Sequence, residues 1–417
     1  MRALSGLNKL VGFGLSMAML AIAAFIAIPA MIRSSGENAW GVIALGQNLG
    51  AFGAMLIAYG WSIFGPVEIA QGDQASRTTE FLASIKVRMI LLVPTLVAVV
   101  VPSLLLAPIR PDLAAVGGVT SVLTGLTATW FFVGLARPYV LMLVETVPRV
   151  AFTVVGIIEM ENGADALYGL IWQGLGLVVA FVASLLWILR FLGYRPGRGD
   201  RLPGAITLLK QYGGGVASSL GSQLFTVLPL VIVTAVAPLA QPVFALVDKL
   251  YRQVLVALLP VVSFLQGWVP RGDDPAERVR RMMWWTLGMS LVIGAGTMVV
   301  GPWILRYLGA NQLMPTTLDV FMLAVLLAVT FNVAVLGHAV LGTYRELRAL
   351  ARSTLVGTLV GMPLVAVGAW FFGVPGALGG MLIGMSVRLT IKLVVTRRCL
   401  RSGVLPSPGA DVELPIE

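Results

Sequence analysis

Apolar residues in this chain do not alternate, and they do not trace a single helical stripe. They run unbroken for about twenty residues at a time, from one end to the other, which is the length a helix needs to cross hydrocarbon. The runs predict spans at 10–32, 41–64, 87–107, 113–134, 138–158, 166–189, 213–237, 242–266, 283–305, 313–340, 351–372 and 374–395. Outer-membrane strands alternate over about ten residues and leave a different pattern. The expected fold is an all-α membrane protein with about twelve transmembrane helices, and an even count puts both termini on one side. The longest polar break, RFLGYRPGRGDRLPG at 190–204, is rich in Arg, Gly and Pro and reads as a linker. It divides the chain into a six-helix lobe at 1–192, a linker at 193–212, a second six-helix lobe at 213–396 and a tail at 397–417. The lobes echo each other: WFFVGLAR at 130–137 and HAVLGTYR at 338–345 both close on Gly-x-x-Arg. A parallel repeat of this kind predicts two lobes related by an axis along the membrane normal. The breaks at Gly65–Arg88 and Gly267–Met282 are longer and charged, and read as short amphipathic helices at the interface.

Composition agrees with the pattern. Hydrophobic residues make up 58% of the 417 and charged ones 12%, against about 25% charged in a soluble domain. The first stretch follows Arg2 and Lys9 but exceeds the apolar core of about 7–15 residues found in secretory signals, so it reads as a retained span with a cytoplasmic N-terminus. Most of the 29 Lys and Arg residues fall in loops on that same side, Lys86, Arg88 and Arg137 among them, and only Arg33, Arg110 and Arg306 on the other. This asymmetry places the basic side in the cytoplasm and predicts a multi-pass protein of the cytoplasmic (inner) membrane. Attraction to anionic headgroups accounts for the net charge of +10 without any nucleic-acid partner. The single Cys399 permits no internal disulfide.

What is missing narrows the function. The chain has no Gly-x-x-x-x-Gly-Lys-Ser/Thr phosphate loop, and one His with one Cys offers no zinc or haem site. No cofactor or metal is expected. Outer loops are too short to hold the chemistry of a glycan polymerase. The expectation is a transporter and not an enzyme.

Ionised groups at mid-membrane cost about 2.5–3.5 kcal/mol each on insertion scales and must face protein or water. The fifth span carries Glu145 and Arg149 at i,i+4, and the eighth carries Asp248 and Arg252 at i,i+4 beside Lys249. Each pair shares a helix face and can neutralise itself. The pairs are therefore either local ion pairs or the lining of an aqueous cavity. In the eighth span two cations against one anion leave positive charge over, which attracts a phosphate. Arg388 and Lys392 can snorkel to the inner surface and Arg33 to the outer one. His338 reads as a satisfied interface residue and Asp319 as a helix N-terminal charge. Trp130, Trp172, Trp268, Trp284 and Trp285 read as an interfacial belt.

Three segments resemble the Wzx-like polysaccharide flippases of the MATE/MOP superfamily: IPAMIRSSGENAWGV at 28–42, WFFVGLARPYVLMLVETVPRV at 130–150, and FALVDKLYRQVLVALLPVVSFLQGWVPR at 244–271. The chain departs from the family pattern at Val133, where Gln is common, and at Arg-Ser-Ser-Gly after the first span. The resemblance implies a flippase that moves a polyprenyl-pyrophosphate-linked oligosaccharide across the membrane by alternating access during surface polysaccharide (O-antigen, lipopolysaccharide) biosynthesis. Its implied partners are that lipid-linked sugar, membrane lipids, and the polymerase and glycosyltransferases of the pathway. It makes Arg149, Lys249 and Arg252 the first candidates for contacting pyrophosphate, with Arg33, Arg137 and Arg388 behind them. Glu145 and Asp248 become candidates for ion coupling or for holding the cations in place. A MATE-type drug exporter and a non-transporting membrane subunit of an envelope glycan assembly remain alternatives.

Overall fold

The computed structural model describes residues 2–194, 203–269, 275–342 and 346–402. The linker arginines Arg195, Arg198 and Arg201, the loop residue Arg271, Arg345 of the second Gly-x-x-Arg and the tail beyond Ser402 lie outside the described residues. Among those described there are helices and no strands. Among the described residues nine helical stretches are long and apolar enough to cross a membrane. One of them is a hairpin that makes two crossings, and helices 205–236 and 241–268 complete twelve. Backbone contacts divide the chain into two units, Met1–Ala235 with Arg306–Met314, and Val236–Leu305 with Pro315–Glu417.

The first unit opens with α1 (Arg2–Ser35), α2 (Glu37–Ala58), the short α3 (Trp61–Gln71) and α4 (Gln74–Leu106). Asp73 starts α4 by accepting from the Ser76 amide at 2.8 Å, the usual work of an N-cap carboxylate. The fourth span is α5 (Pro111–Leu123), a tight turn at Thr124–Leu126 and α6 (Thr129–Gly134). The fifth is α7 (Pro138–Leu141), a π turn at Met142–Thr146 and α8 (Val147–Glu161). Then come α9 (Ala166–Phe191), N-capped by Asp165, and α10 (Ala205–Val236). Lipid tails are as apolar as leucine, so helices in a bilayer associate through close van der Waals packing at small residues. The α2–α5 contact shows this. A Cβ at Gly46 would strike the Ala114 carbonyl, and one at Gly50 the Gly118 carbonyl. Large side chains gather instead at one end, where Trp61, Phe81, Phe131 and Phe132 are buried together and the Phe81 and Phe131 rings meet edge to face at 5.3 Å.

The second unit holds α11 (Gln241–Trp268), α12 (Pro275–Leu308), α13 (Thr317–Val335), which runs into a π turn at Leu336–Leu341, and α14 (Leu347–Ser402). Only 11% of the most apolar window of α12 is buried, so its Leu291, Val299 and Trp303 face lipid. Asp319 belongs to a capping box: its carboxylate accepts from the Thr316 amide at 2.7 Å while Thr316 accepts from the Asp319 amide. This agrees with the helix N-terminal reading. The α14 stretch folds back on itself at Gly373, which adopts φ 61° and ψ −132°, a backbone conformation closed to other residues. Its two arms then pack backbone to backbone, with Gly368 on Gly376 and Gly380 on Leu364.

Two sequence expectations need correction. The Gly65–Arg88 break is not an amphipathic interfacial segment. It is the apolar α3, which buries Trp61, Gly65 and Ile69, followed directly by the first turns of α4. At Gly267–Met282 the described residues belong to the ends of α11 and α12, with no separate helix among them. Of the charges that suggested interfacial helices, Arg77, Glu80, Lys86 and Arg88 sit on α4 and Glu277, Arg278, Arg280 and Arg281 on α12.

Candidate functional site

The broken fourth span exposes backbone groups at a depth where lipid offers no partner, so protein must supply one. Two charged side chains do so. Arg88, from α4, donates through Nη1 to the Thr127 carbonyl at 2.9 Å and the Leu126 carbonyl at 3.4 Å. Its guanidinium lies 5.6 Å from the centre of the Trp130 ring. Glu145, on the π turn, accepts from the Ala128 amide at 2.6 Å and the Thr129 hydroxyl at 2.7 Å. The Ser184 hydroxyl of α9 adds a third bond at 3.2 Å. Arg88 and Glu145 are each 1% exposed. Glu145 is therefore fastened by three donors, and its charge acts on both Arg88 and Arg149.

Glu145 and Arg149 do not form the i,i+4 ion pair that their spacing suggests; the ion pairs found among the described residues lie elsewhere. The reason is the π turn at Met142–Thr146. The extra residue in that turn carries Glu145 toward the broken fourth span, where Ala128, Thr129 and Ser184 occupy both its oxygens. Arg149 stays half-buried on α8, with its backbone against Gly176 of α9.

Arg88 was expected in a cytoplasmic loop and is instead a core residue. Its signal is present in the sequence. Ser84, Arg88, Thr95 and Ser103 recur at helical spacing and form the buried polar face of α4. Trp130 likewise leaves the expected interfacial belt, being buried beneath Arg88.

The second unit gathers more charge. On α11, Asp248 and Arg252 pair at 2.6 Å, as their spacing predicts. Asp248 is 5% exposed, and its Oδ1 has no hydrogen-bond partner. Tyr251, also on α11, shares a hydrogen bond with the Thr330 hydroxyl of α13 at 3.0 Å, and Asp248, Arg252 and Arg388 all lie within electrostatic reach of its hydroxyl. Arg388 comes from the second arm of α14. It donates to the Thr354 hydroxyl of the first arm at 3.1 Å and to the Met385 sulfur at 3.8 Å. Lys392, one turn further on, donates to the Val333 carbonyl of α13 at 2.8 Å. Neither snorkels to the surface: Arg388 is 8% and Lys392 3% exposed. Their positions fall on the inner face of the arm, where polar partners are nearer than the headgroups. His338, by contrast, is exposed on the π turn of the same unit.

The other two candidates sit apart from both clusters. Arg33 pairs with Glu161 between the ends of α1 and α8, both half-exposed. Arg137 lies over the rings of Trp187 and Phe191, at 5.6 and 4.6 Å from their centres. Arg110 grips Asp165 through two nitrogens at 3.0 and 2.9 Å, and the hydroxyl of Ser35, two residues on from Arg33, joins at 3.1 Å. Arg110 holds the Asp165 carboxyl below its ordinary value of 3.8. A depressed carboxylate stabilises above its unfolded value and loses that contribution as pH falls through the lower folded one. Asp165→Asn should therefore cost at most about 1 kcal/mol near neutral pH, since the pair is a third exposed. The difference from wild type should shrink as the pH falls below the ordinary carboxylate value of 3.8 through the lower folded one, as checked by thermal unfolding across pH in detergent. A constant difference at every pH would contradict this account.

What the arrangement offers is a pair of buried charge clusters on broken or bent helices. In the second, among the described residues, Asp248 has Arg252 and Lys249 beside it on α11, and Arg388, near Tyr251, has Lys392 one turn on. Among the described residues no three His, Cys, Asp or Glu side chains come together to hold a metal.

Neither a family model nor a curated sequence matches the chain. Solved structures do. One titled as the inward-facing conformation of a multidrug resistance MATE family transporter of the MOP superfamily matches with a TM-score of 0.60 at 15% identity, over 91% of this chain and 98% of that one. A MATE structure in the bent conformation matches with a TM-score of 0.56 at 16% identity, over 95% of each. A third, MATE in complex with MaD5, matches with a TM-score of 0.52 at 16% identity, over 94% of each. The fold is that of the MATE transporters, a multi-pass membrane architecture of about twelve helices.

Proposed function

We propose that this chain puts its MATE-type fold to work as a flippase. It carries a polyprenyl-pyrophosphate-linked oligosaccharide across the cytoplasmic membrane by alternating access during surface polysaccharide synthesis. The observation that supports this most is the cationic character of the second cluster: Arg388 and Lys392 are buried, Lys249 and Arg252 half-buried, and Asp248 pairs with Arg252. Buried like charges repel and cost several kcal/mol each to desolvate. A multivalent anion offsets that cost, and a pyrophosphate with its prenyl tail left in lipid is such an anion. Lys249, Arg252 and Arg388 are its expected contacts, with Arg149 of the first unit beside them in rank. Arg33 and Arg137, engaged with Glu161 and with aromatic rings, are secondary. Of the two carboxylates, Asp248 has an oxygen without a hydrogen-bond partner and is the better proton carrier. Glu145, held by three donors, serves the broken helix.

The likeness to a multidrug resistance MATE family transporter favours a second reading, export of a small molecule. A cationic cluster has the wrong sign for the cationic drugs such a pump would carry.

The test is transport by purified protein in proteoliposomes, using a labelled lipid-linked oligosaccharide and a cationic dye in parallel. Wild type should flip the lipid and leave the dye. Arg252→Gln, which removes a charge-assisted contact of about 1.5–3 kcal/mol, should slow flipping about tenfold or more at unchanged protein level. Dye transport without lipid flipping would establish the exporter. Transport of neither would point to a non-transporting subunit of a glycan assembly.

A further inference from the structure

The open ends of the α14 hairpin carry a feature that transport does not use. Between its two arms lies a groove of about 530 Å³, within the range of about 300–1,000 Å³ common to ligand sites. Arg348 and Arg352 of the first arm and Arg398 of the second line one part of it, and Val356, Ile391 and Val394 another. All three arginines are exposed, and none is held in an ion pair among the described residues. Arg388 and Lys392, by contrast, are buried and engaged with the Thr354 hydroxyl and the Val333 carbonyl. Arg348 and Arg352 also occupy the first turns of α14, where the helix end is itself positive and a cation is unfavourable without an anion. Three guanidiniums, a positive helix end and an apolar wall on the lipid-facing side together ask for one amphiphile, with an anionic phosphate at its head and hydrocarbon below.

We propose that this groove is a binding site for an anionic glycerophospholipid, whose phosphate is held by Arg348, Arg352 and Arg398 and whose upper acyl chain lies along Val356, Ile391 and Val394. Basic pockets between transmembrane helices recognise lipid headgroups in this way, by charge first and hydrocarbon second. The site is independent of the transport reading and would stand if that reading failed. A free phosphate shares the headgroup chemistry but would make no use of the apolar wall.

Native mass spectrometry of the full chain from micelles containing equal phosphatidylglycerol and phosphatidylcholine tests it. Wild type should retain one phosphatidylglycerol in preference to phosphatidylcholine. Each arginine contributes about fivefold near an anionic headgroup, so the triple variant Arg348→Gln/Arg352→Gln/Arg398→Gln should lose about a hundredfold of that preference. Because the three side chains are exposed, the variant should keep the wild-type unfolding temperature. Arg280→Gln, which removes an exposed arginine on α12, should keep both the lipid and the temperature. Added inorganic phosphate should not displace the lipid. An unchanged preference in the triple variant overturns the proposal, as does displacement by phosphate alone. So does a wild-type dimer that becomes monomeric in the triple variant without bound lipid, which would assign the face to a second copy of the chain.

Discussion

Arg88→Leu should destabilise the protein by about 3–5 kcal/mol, the cost of breaking a buried, hydrogen-bonded charge cluster by removing one partner. Three losses coincide. The carbonyls of Leu126 and Thr127 lose their donor at a depth where water is scarce. Glu145 is left ionised without its nearest buried cation on α4. Trp130 loses the guanidinium above its ring. Because the damage is partly electrostatic, the double variant Arg88→Leu/Glu145→Gln should recover about 1–2 kcal/mol of it, while the orphaned carbonyls remain. Unfolding in mixed micelles, followed by near-ultraviolet circular dichroism, measures both. A cost below about 1 kcal/mol for the single variant would mean that the break at 124–128 is satisfied some other way.

Asp248→Asn should be comparably costly, for the opposite reason. It keeps the shape of the side chain and removes its negative charge, so Arg252 loses the carboxylate it pairs with and Lys249 the anion beside it. A buried charge left without its counterion costs about 3–5 kcal/mol. The defect should also become conditional on solution anions. Pyrophosphate at millimolar concentration should restore a large part of the lost unfolding temperature, and chloride at the same ionic strength should not, since binding to the folded state alone stabilises by mass action. Equal rescue by both salts would reduce the effect to general screening. No loss at all would show that the cluster tolerates its own repulsion, and the case for an anionic cargo would weaken with it.

Much of this architecture is legible from the apolar runs alone, because a span leaves a mark about twenty residues long that no polar loop imitates. Even the hairpin turn falls where the sequence separates 351–372 from 374–395, at the one residue, Gly373, that can adopt its backbone angles. The interior of the spans is where reading fails. Nothing charged marks Thr124, Gly125, Leu126 or Thr127, so the fourth span looks continuous until Arg88 and Glu145 are seen tending its ends. A π turn and an α turn have the same composition, so Glu145 and Arg149 promise a pair that an extra residue per turn then withdraws, whereas Asp248 and Arg252, on regular helix, keep theirs. Arg388 and Lys392 have stems long enough to reach either the membrane surface or the interior. Only the face of the arm, fixed by the glycine contacts with its partner, decides between them.

Those glycine contacts have a mechanical consequence. With Gly368 seated on Gly376 and Gly380 on Leu364, nothing compressible separates the two arms of α14, and neither can slide or roll without its twin. The hairpin behaves as a single stiff beam. Arg388 and Lys392 are buried along it, and Arg348, Arg352 and Arg398 are exposed at its open end. A tilt that repositions the inner cations must swing the outer arginines through the surrounding bilayer by a matching angle, so the lipid gripped at the rim would act as ballast on the stroke.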